Sequence, residues 1–167
     1  MFDDEVRQSA ARTLDAARAA RAMIVTAESC TGGLVAAALT AIPGSSDAVE
    51  AGFVTYSNAA KERLGVAPSL LSAHGAVSEA VARALAEAAR AGTPGERIVA
   101  ASVTGVAGPG GGSAQKPVGL VHFAAADGAG TIHREMRFGD IGRDGIRRES
   151  VLVALDLLRE RCEALTA

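Results

Sequence analysis

Thr26-Ala27-Glu28-Ser29-Cys30-Thr31-Gly32-Gly33 stands between a short apolar segment, Met23-Ile24-Val25, and the Ala-rich run Leu34-Val35-Ala36-Ala37-Ala38-Leu39. The first segment reads as the end of a buried strand and the second as a helix, so residues 29–33 form a strand-to-helix turn. A β-strand feeding a helix in this way is the opening unit of an α/β fold. Such a turn carries unpaired backbone N–H groups and the positive end of the helix dipole. Those donors suit a phosphate, or the oxyanion formed when Ser29, Cys30 or Thr31 attacks a carbonyl. An ordinary helix cap with a close-packed glycine pair is the competing reading.

Working outward, the length of 167 residues predicts a single domain spanning 1–167. Only 3% of residues are aromatic although 49% are hydrophobic, so the core must be built from Ala, Val, Leu and Ile with backbones in close approach. Layered α/β packing meets that requirement. A net charge of −2 gives no global basic field, which argues against nucleic acid as a partner. Cys30 and Cys162 lie far apart, with no CxxC or Cys/His spacing, so neither a metal site nor a disulfide framework is expected. The acidic start, Asp3-Asp4-Glu5, is unlike a signal peptide, and no apolar run approaches the roughly 18 residues of a membrane span. The expectation is a soluble, cytoplasmic protein with no membrane partner.

Along the chain, residues 4–21 carry Val6, Ala10, Leu14 and Ala17 at helical spacing and form an amphipathic first helix. Turn formers at 42–47 precede a second strand at 49–56, and Ser57-Asn58 opens a short helix carrying Lys61. Pro68 starts a segment that closes at His74-Gly75, after which Ser78 caps a helix with Val81, Leu85 and Ala88 on one face. Ile98-Val99-Ala100-Ala101-Ser102-Val103 is the continuous apolar run of a strand covered on both faces, and should be central. Residues 104–113 then contain five glycines with Pro109, too glycine-rich for regular structure and too long for a simple hairpin turn. Segments 118–126 and 131–138 pair as a hairpin across Gly128 and Gly130, which makes the sheet mixed. Gly139-Asp140 opens the last helix, with Ile146, Val151, Leu155 and Leu158 inward and Arg143, Arg147 and Arg148 in its first turns. Three cations there oppose the helix dipole, which an anionic ligand would explain; Asp140, Asp144 and Glu149 are the alternative counter-charges.

The glycine loop is neither a dinucleotide fingerprint nor a P-loop: Ser113 stands where G-x-G-x-x-G needs its third glycine, and Lys116 is followed by Pro117. Close backbone approach to a small ligand remains its natural use. For nucleophilic chemistry, Ser29, Cys30 and Thr31 are attackers without a Ser-His-Asp set, since His74, His122 and His133 have no triad-like context. A lysine that loses proton affinity by desolvation can serve instead. Lys61, at the second strand-to-helix junction, is the candidate base, whereas Lys116 is tied to Pro117 in the glycine loop; Ser57 and Lys61 at i, i+4 form a local rival pair.

With these segments placed, the sequence resembles the CinA C-terminal domain family, whose enzymatic members are nicotinamide-nucleotide amidases. The motifs that carry the resemblance are Ala27-Glu28-Ser29-Cys30-Thr31-Gly32-Gly33, Val54-Thr55-Tyr56-Ser57-Asn58 with Lys61, Gly75-Ala76-Val77-Ser78-Glu79, Thr104-Gly105-Val106-Ala107-Gly108-Pro109-Gly110, and Lys116-Pro117-Val118-Gly119. They run in the family's order over residues 5–163, and the stretch 139–148 is longer than the family's usual Gly-Asp-Arg lead-in to the last helix. The resemblance implies a three-layer α/β/α sandwich with a mixed, mostly parallel sheet. It also implies hydrolysis of the carboxamide of nicotinamide mononucleotide, without metal or other cofactor, by a homo-oligomer acting on a small-molecule nucleotide. It carries over Ser29 as nucleophile, with Lys61 and Tyr56 as its activating partners. The substrate-binding set expected around them is Cys30, Thr31, Gly32, Gly33, Asn58, Thr104, Gly105, Gly108, Arg143, Arg147 and Arg148. Two alternatives stay open: Cys30 as the nucleophile, activated as a thiolate at a helix N-terminus, and a domain that binds the same ligand without hydrolysing it.

Overall fold

The computed structural model describes residues 2–167. Its elements in order are α1 (Asp4–Ala20), β1 (Met23–Glu28), α2 (Leu34–Thr40), a 3₁₀ turn (Ser45–Asp47), β2 (Val49–Val54), α3 (Asn58–Leu64), α4 (Pro68–His74), α5 (Glu79–Ala91), β3 (Ile98–Gly105), β4 (Leu120–Asp127), β5 (Gly130–Arg137) and α6 (Arg143–Ala164). The five strands form one sheet in the order β2-β1-β3-β4-β5. β2, β1 and β3 run parallel, and the β4–β5 hairpin adds antiparallel to β3. The sheet is therefore mixed, with β3 central.

Period-2 alternation in the strands sends side chains to two helical layers, giving the three-layer α/β/α sandwich. Ile24, Val99, Ala101, Val103, Val121 and Phe123 pack with Leu14, Leu39, Ile146, Leu155 and Leu158 beneath α1, α2 and α6. Val25, Ala27, Ile98 and Ala100 pack on the other face with Leu71, Val81 and Leu85 from α4 and α5. Alanine lets the layers close without aromatic bulk: Ala82 and Ala86 of α5 sit directly on Ala124 and Ala126 of β4. Ser102 reinforces that approach by donating from Oγ to the Ala82 carbonyl at 2.6 Å. No helix among the described residues is long and apolar enough to cross a membrane.

Several boundaries differ from the sequence reading: β3 runs on to Gly105, into the stretch expected to be irregular, and three others shift for a local backbone reason. β2 stops at Val54 rather than at residue 56, because the Thr55 N–H makes the last bond to β1, onto the Glu28 carbonyl at 2.7 Å, and Tyr56 then turns out to 62% exposure. β4 begins at Leu120 because Gly119 has φ +88°, outside the strand region. α6 begins at Arg143, not at residues 139–140, because Gly139 and Gly142 hold φ of +73° and +81°. The parallel strands β1, β2 and β3 all end on one edge. From there β1 leads to α2 on one face of the sheet while β2 leads to α3 on the other, the crevice where ligands bind in open α/β sheets.

Candidate active site

β1 delivers Ser29 to that edge. The Ser29 N–H still bonds the Val103 carbonyl at 2.9 Å, so the nucleophile candidate is tied to the central strand by its own backbone. The turn then folds back through Gly32 and Gly33, with φ of +63° and +95° that a side chain would oppose. From the second edge strand, Ser57 caps α3 by accepting from the Ala60 N–H at 3.1 Å. Its hydroxyl is thereby committed, and the rival Ser57–Lys61 pair is not formed.

Lys61 is the largest fully buried side chain, 1% exposed. Its Nζ lies 3.1 Å from Ser29 Oγ, 2.7 Å from the Thr55 carbonyl and 3.2 Å from the Tyr56 carbonyl. These three acceptors match the three N–H donors of an ammonium, and deprotonation turns the Ser29 contact round. A neutral amine has two N–H donors and one lone pair. Two carbonyls take the donors, leaving the lone pair for the Ser29 hydroxyl proton. Burial holds the Lys61 ammonium below the usual lysine range, against a smaller opposing effect of Cys30. The other lysine, Lys116, reaches the His74 carbonyl at 2.5 Å on an exposed stretch and has no contact with Ser29.

Cys30, next in the chain, is 6% exposed and belongs to the apolar core. Desolvation, reinforced by the charge of Glu28, pushes its thiol up to about 12. A thiolate nucleophile at this position is therefore disfavoured, the opposing backbone hydrogen bond and the charges of Arg147 and Lys61 being the smaller effects.

A cavity of about 230 Å³ brings together Ser29, Cys30, Tyr56, Lys61, Thr104, Gly105 and Arg143, walled further by Ala76, Val77 and Ala107. Thr104 is held by its hydroxyl, which donates to the Ala76 carbonyl at 2.8 Å. Arg143 spans the mouth: one nitrogen donates to the Gly108 carbonyl at 2.8 Å and another lies 3.4 Å from the Tyr56 hydroxyl. The first turn of α6 beside it has no side-chain cap, since Gly142 occupies that position. Of the first turns of α6, Arg143 alone lines this cavity, while Asp144, Gly145, Arg147 and Arg148 border a separate one.

The remaining expected residues separate. Thr31 is fully buried with its hydroxyl unpartnered, and its carbonyl accepts from Arg147 at 3.0 Å, so Arg147 braces the back of the turn. Arg147 also borders a different, larger cavity of about 460 Å³ with Phe2, Val6 and Leu34. Arg148 contacts Asp3 at 2.7 Å, Glu5 at 2.5 Å and Glu149 at 2.6 Å. It borders the same larger cavity as Arg147, and its guanidinium fastens α6 to the start of α1. Asn58 is exposed at the first position of α3, and its side chain does not line the cavity. Among the described residues no group of three or more His, Cys, Asp or Glu stands at metal-binding distance.

Sequence reasoning overlooks Glu28. The carboxylate is 1% exposed, and it accepts from the N–H groups of Gly33 and Val35 at 3.0 Å, from Ala36 at 2.8 Å and from the Thr26 hydroxyl at 3.2 Å. The α2 donors that the sequence assigns to a phosphate or oxyanion are therefore occupied from inside the protein. The Gly32 and Leu34 N–H groups bond the Ser29 and Thr31 carbonyls. Of the turn residues after Ser29, only Cys30 lines the cavity; Thr31 is fully buried. A charged residue closing an apolar strand, one position before the turn, was the available signal.

The family model for the CinA C-terminal domain matches residues 6–162. The chain belongs to the CinA C-terminal domain family. It is 56% identical over 135 residues to a CinA-like protein of Anaeromyxobacter sp. (strain K), covering 79% of this chain and 32% of that protein. To a CinA-like protein of Synechococcus sp. (strain RCC307) it is 57% identical over 138 residues, covering 81% and 33%. The chain thus spans about a third of the length of these relatives. Among solved structures, the competence/damage inducible protein CihA from Agrobacterium tumefaciens superposes with a TM-score of 0.92 at 47% identity, covering 100% of this chain and 99% of that one. The CinA superfamily protein KP700603 from Klebsiella pneumoniae 700603 gives 0.88 at 31% identity, covering 95% and 98%.

Proposed function

We propose that this CinA domain hydrolyses a nucleotide carboxamide, with nicotinamide mononucleotide as substrate, giving nicotinate mononucleotide and ammonia. The observation that carries the reading is the buried Lys61 amine 3.1 Å from Ser29 Oγ, with its two other hydrogen-bonding directions taken by backbone carbonyls. Ser29 Oγ attacks the carboxamide carbon while its proton passes to Lys61 Nζ. The tetrahedral oxyanion is held by backbone N–H groups lining the cavity, from the turn at Cys30 and the Thr104-Gly105 segment, where one lost donor typically costs on the order of 10² to 10³ in rate. Collapse breaks the C–N bond, and the Lys61 ammonium returns its proton to the departing nitrogen, which leaves as ammonia. Water then attacks the acyl-enzyme, Lys61 takes a proton from it, and a second collapse frees the carboxylate and restores the serine. Tyr56 supplies a backbone acceptor to Lys61 and a phenol at the mouth, beside Arg143.

Arg143 suits the phosphate of such a substrate, and the cavity volume of about 230 Å³ fits the amide-bearing ring with the rest extending toward it. Incubation of the purified protein with nicotinamide mononucleotide, scored for ammonia and nicotinate mononucleotide, tests the proposal. Both products are expected in equal amounts. Binding without product over a range of pH would replace it with the ligand-binding alternative.

A further inference from the structure

We propose that Glu28 is a positioning residue of the Ser29–Lys61 pair, acting as a buried clamp that fixes the turn after β1 and the backbone acceptors of Lys61 at once. This rests on the Ser/Lys reading above. Two sets of contacts meet at this one residue. Its carboxylate gathers the N–H groups of Gly33, Val35 and Ala36, so the turn carrying Ser29 is closed on both sides by the same amino acid. Its carbonyl accepts from the Thr55 N–H at 2.7 Å and faces the Thr55 hydroxyl at 3.4 Å. Thr55 is the residue whose own carbonyl accepts from Lys61 at 2.7 Å. Nucleophile and base, 32 positions apart in sequence, are therefore registered through Glu28.

The choice of glutamate is specific. Three backbone donors and a hydroxyl converge on two oxygens, and only an ionised carboxylate is acceptor-only on both. An amide of the same shape would turn an NH₂ toward backbone N–H groups. The same contacts keep these helix donors away from the substrate.

Glu28→Gln tests this, read against Leu39→Ala, a cavity-forming change in the same helix at a fully buried residue that touches neither Ser29 nor Lys61. Kinetics of ammonia release and the rate of covalent Ser29 labelling by a sulfonyl fluoride are both measured, well below the melting temperature of each variant. In the labelling reaction the Ser29 Oγ–S bond forms, S–F breaks, fluoride leaves and the hydroxyl proton passes to Lys61. We expect Glu28→Gln to lower kcat and the labelling rate on the order of 10²-fold with KM little changed, the size associated with misplacing a reacting group by about 1 Å. Leu39→Ala should lower the melting temperature while leaving both rates near wild type. Thr26→Val removes one contact of the carboxylate and should give a smaller loss, roughly fivefold, in the same kcat-only pattern; it is read alone if Glu28→Gln does not fold. Rates that track melting temperature across all variants, or a Thr26→Val that changes neither rate, overturn the inference. A reactive wild type with equally reactive Glu28→Gln overturns this inference alone, whereas an unreactive wild type overturns the amidase reading and this inference with it.

Discussion

Replacing Lys61 by Met separates catalysis from stability at one buried position. Met keeps the length and removes the amine. Losing a positioned general base costs about 10²–10⁴ in rate, or roughly 3–5 kcal/mol of transition-state stabilisation. On the folding side two effects oppose. The buried Thr55 carbonyl loses its donor at 2.7 Å, worth about 1–3 kcal/mol. Against this, a side chain 1% exposed no longer has to be desolvated as an ammonium, and Met fills the same volume. The net change in unfolding free energy should stay within about 2 kcal/mol, so the loss of activity is not a loss of fold. The sign of the pH effect follows from burial, which holds Lys61 below its ordinary 10.5. The active form is the neutral amine, so wild-type kcat/KM should climb with pH through an inflection below 10.5 and then level. Between the folded value and 10.5 the unfolded chain binds the lysine proton and the folded chain does not, so this group's contribution to stability rises with pH in that window. Ammonia release across pH and urea unfolding measure both. A Lys61→Met variant within about threefold of the wild-type rate, far inside the range expected for a lost base, would refute the assignment of the base.

Ser29→Ala should abolish turnover with ligand binding retained, Cys30→Ala should keep most activity, and Ser29→Ala with Lys61→Met should be scarcely worse than either alone; an inactive Cys30→Ala beside an active Ser29→Ala would install the thiol. Arg143→Ala should raise KM for the nucleotide far more than for its riboside, whereas Arg148→Ala should leave KM unchanged and lower the melting temperature, because its partners are Asp3, Glu5 and Glu149. His122 and His133, whose Nδ1 and Nε2 stand 3.1 Å apart, are both held below 6.5, chiefly by burial. The unfolded chain therefore takes up protons that the folded chain refuses, and stability that is complete above pH 6.5 should fall on acidification below it, less steeply in His133→Gln, by urea titration at a series of pH values.

Periodicity and turn chemistry determined the order of the elements. The apolar run of β3 could be buried only between two layers, and Ser78 and Gly92 bracket α5 because a capping hydroxyl and a chain-stopping glycine act on their immediate neighbours. Ser29 at the end of β1 and Lys61 on the short helix after Ser57 were likewise legible, since each follows from local pattern. What sequence could not decide is which donors and charges are already satisfied by residues distant in the chain. Arg143, Arg147 and Arg148 fall in the first two turns of one helix, yet they end on Gly108, Thr31 and the start of α1, because each meets neighbours from a different element at its own height and face. The first-turn donors of α2 look available in the sequence and are filled by Glu28, and Lys61 loses its solvation only when β1, β2 and α3 close around it. Hydrogen-bond satisfaction and desolvation belong to the assembled structure; the strand, the turn and the cap belong to the sequence itself.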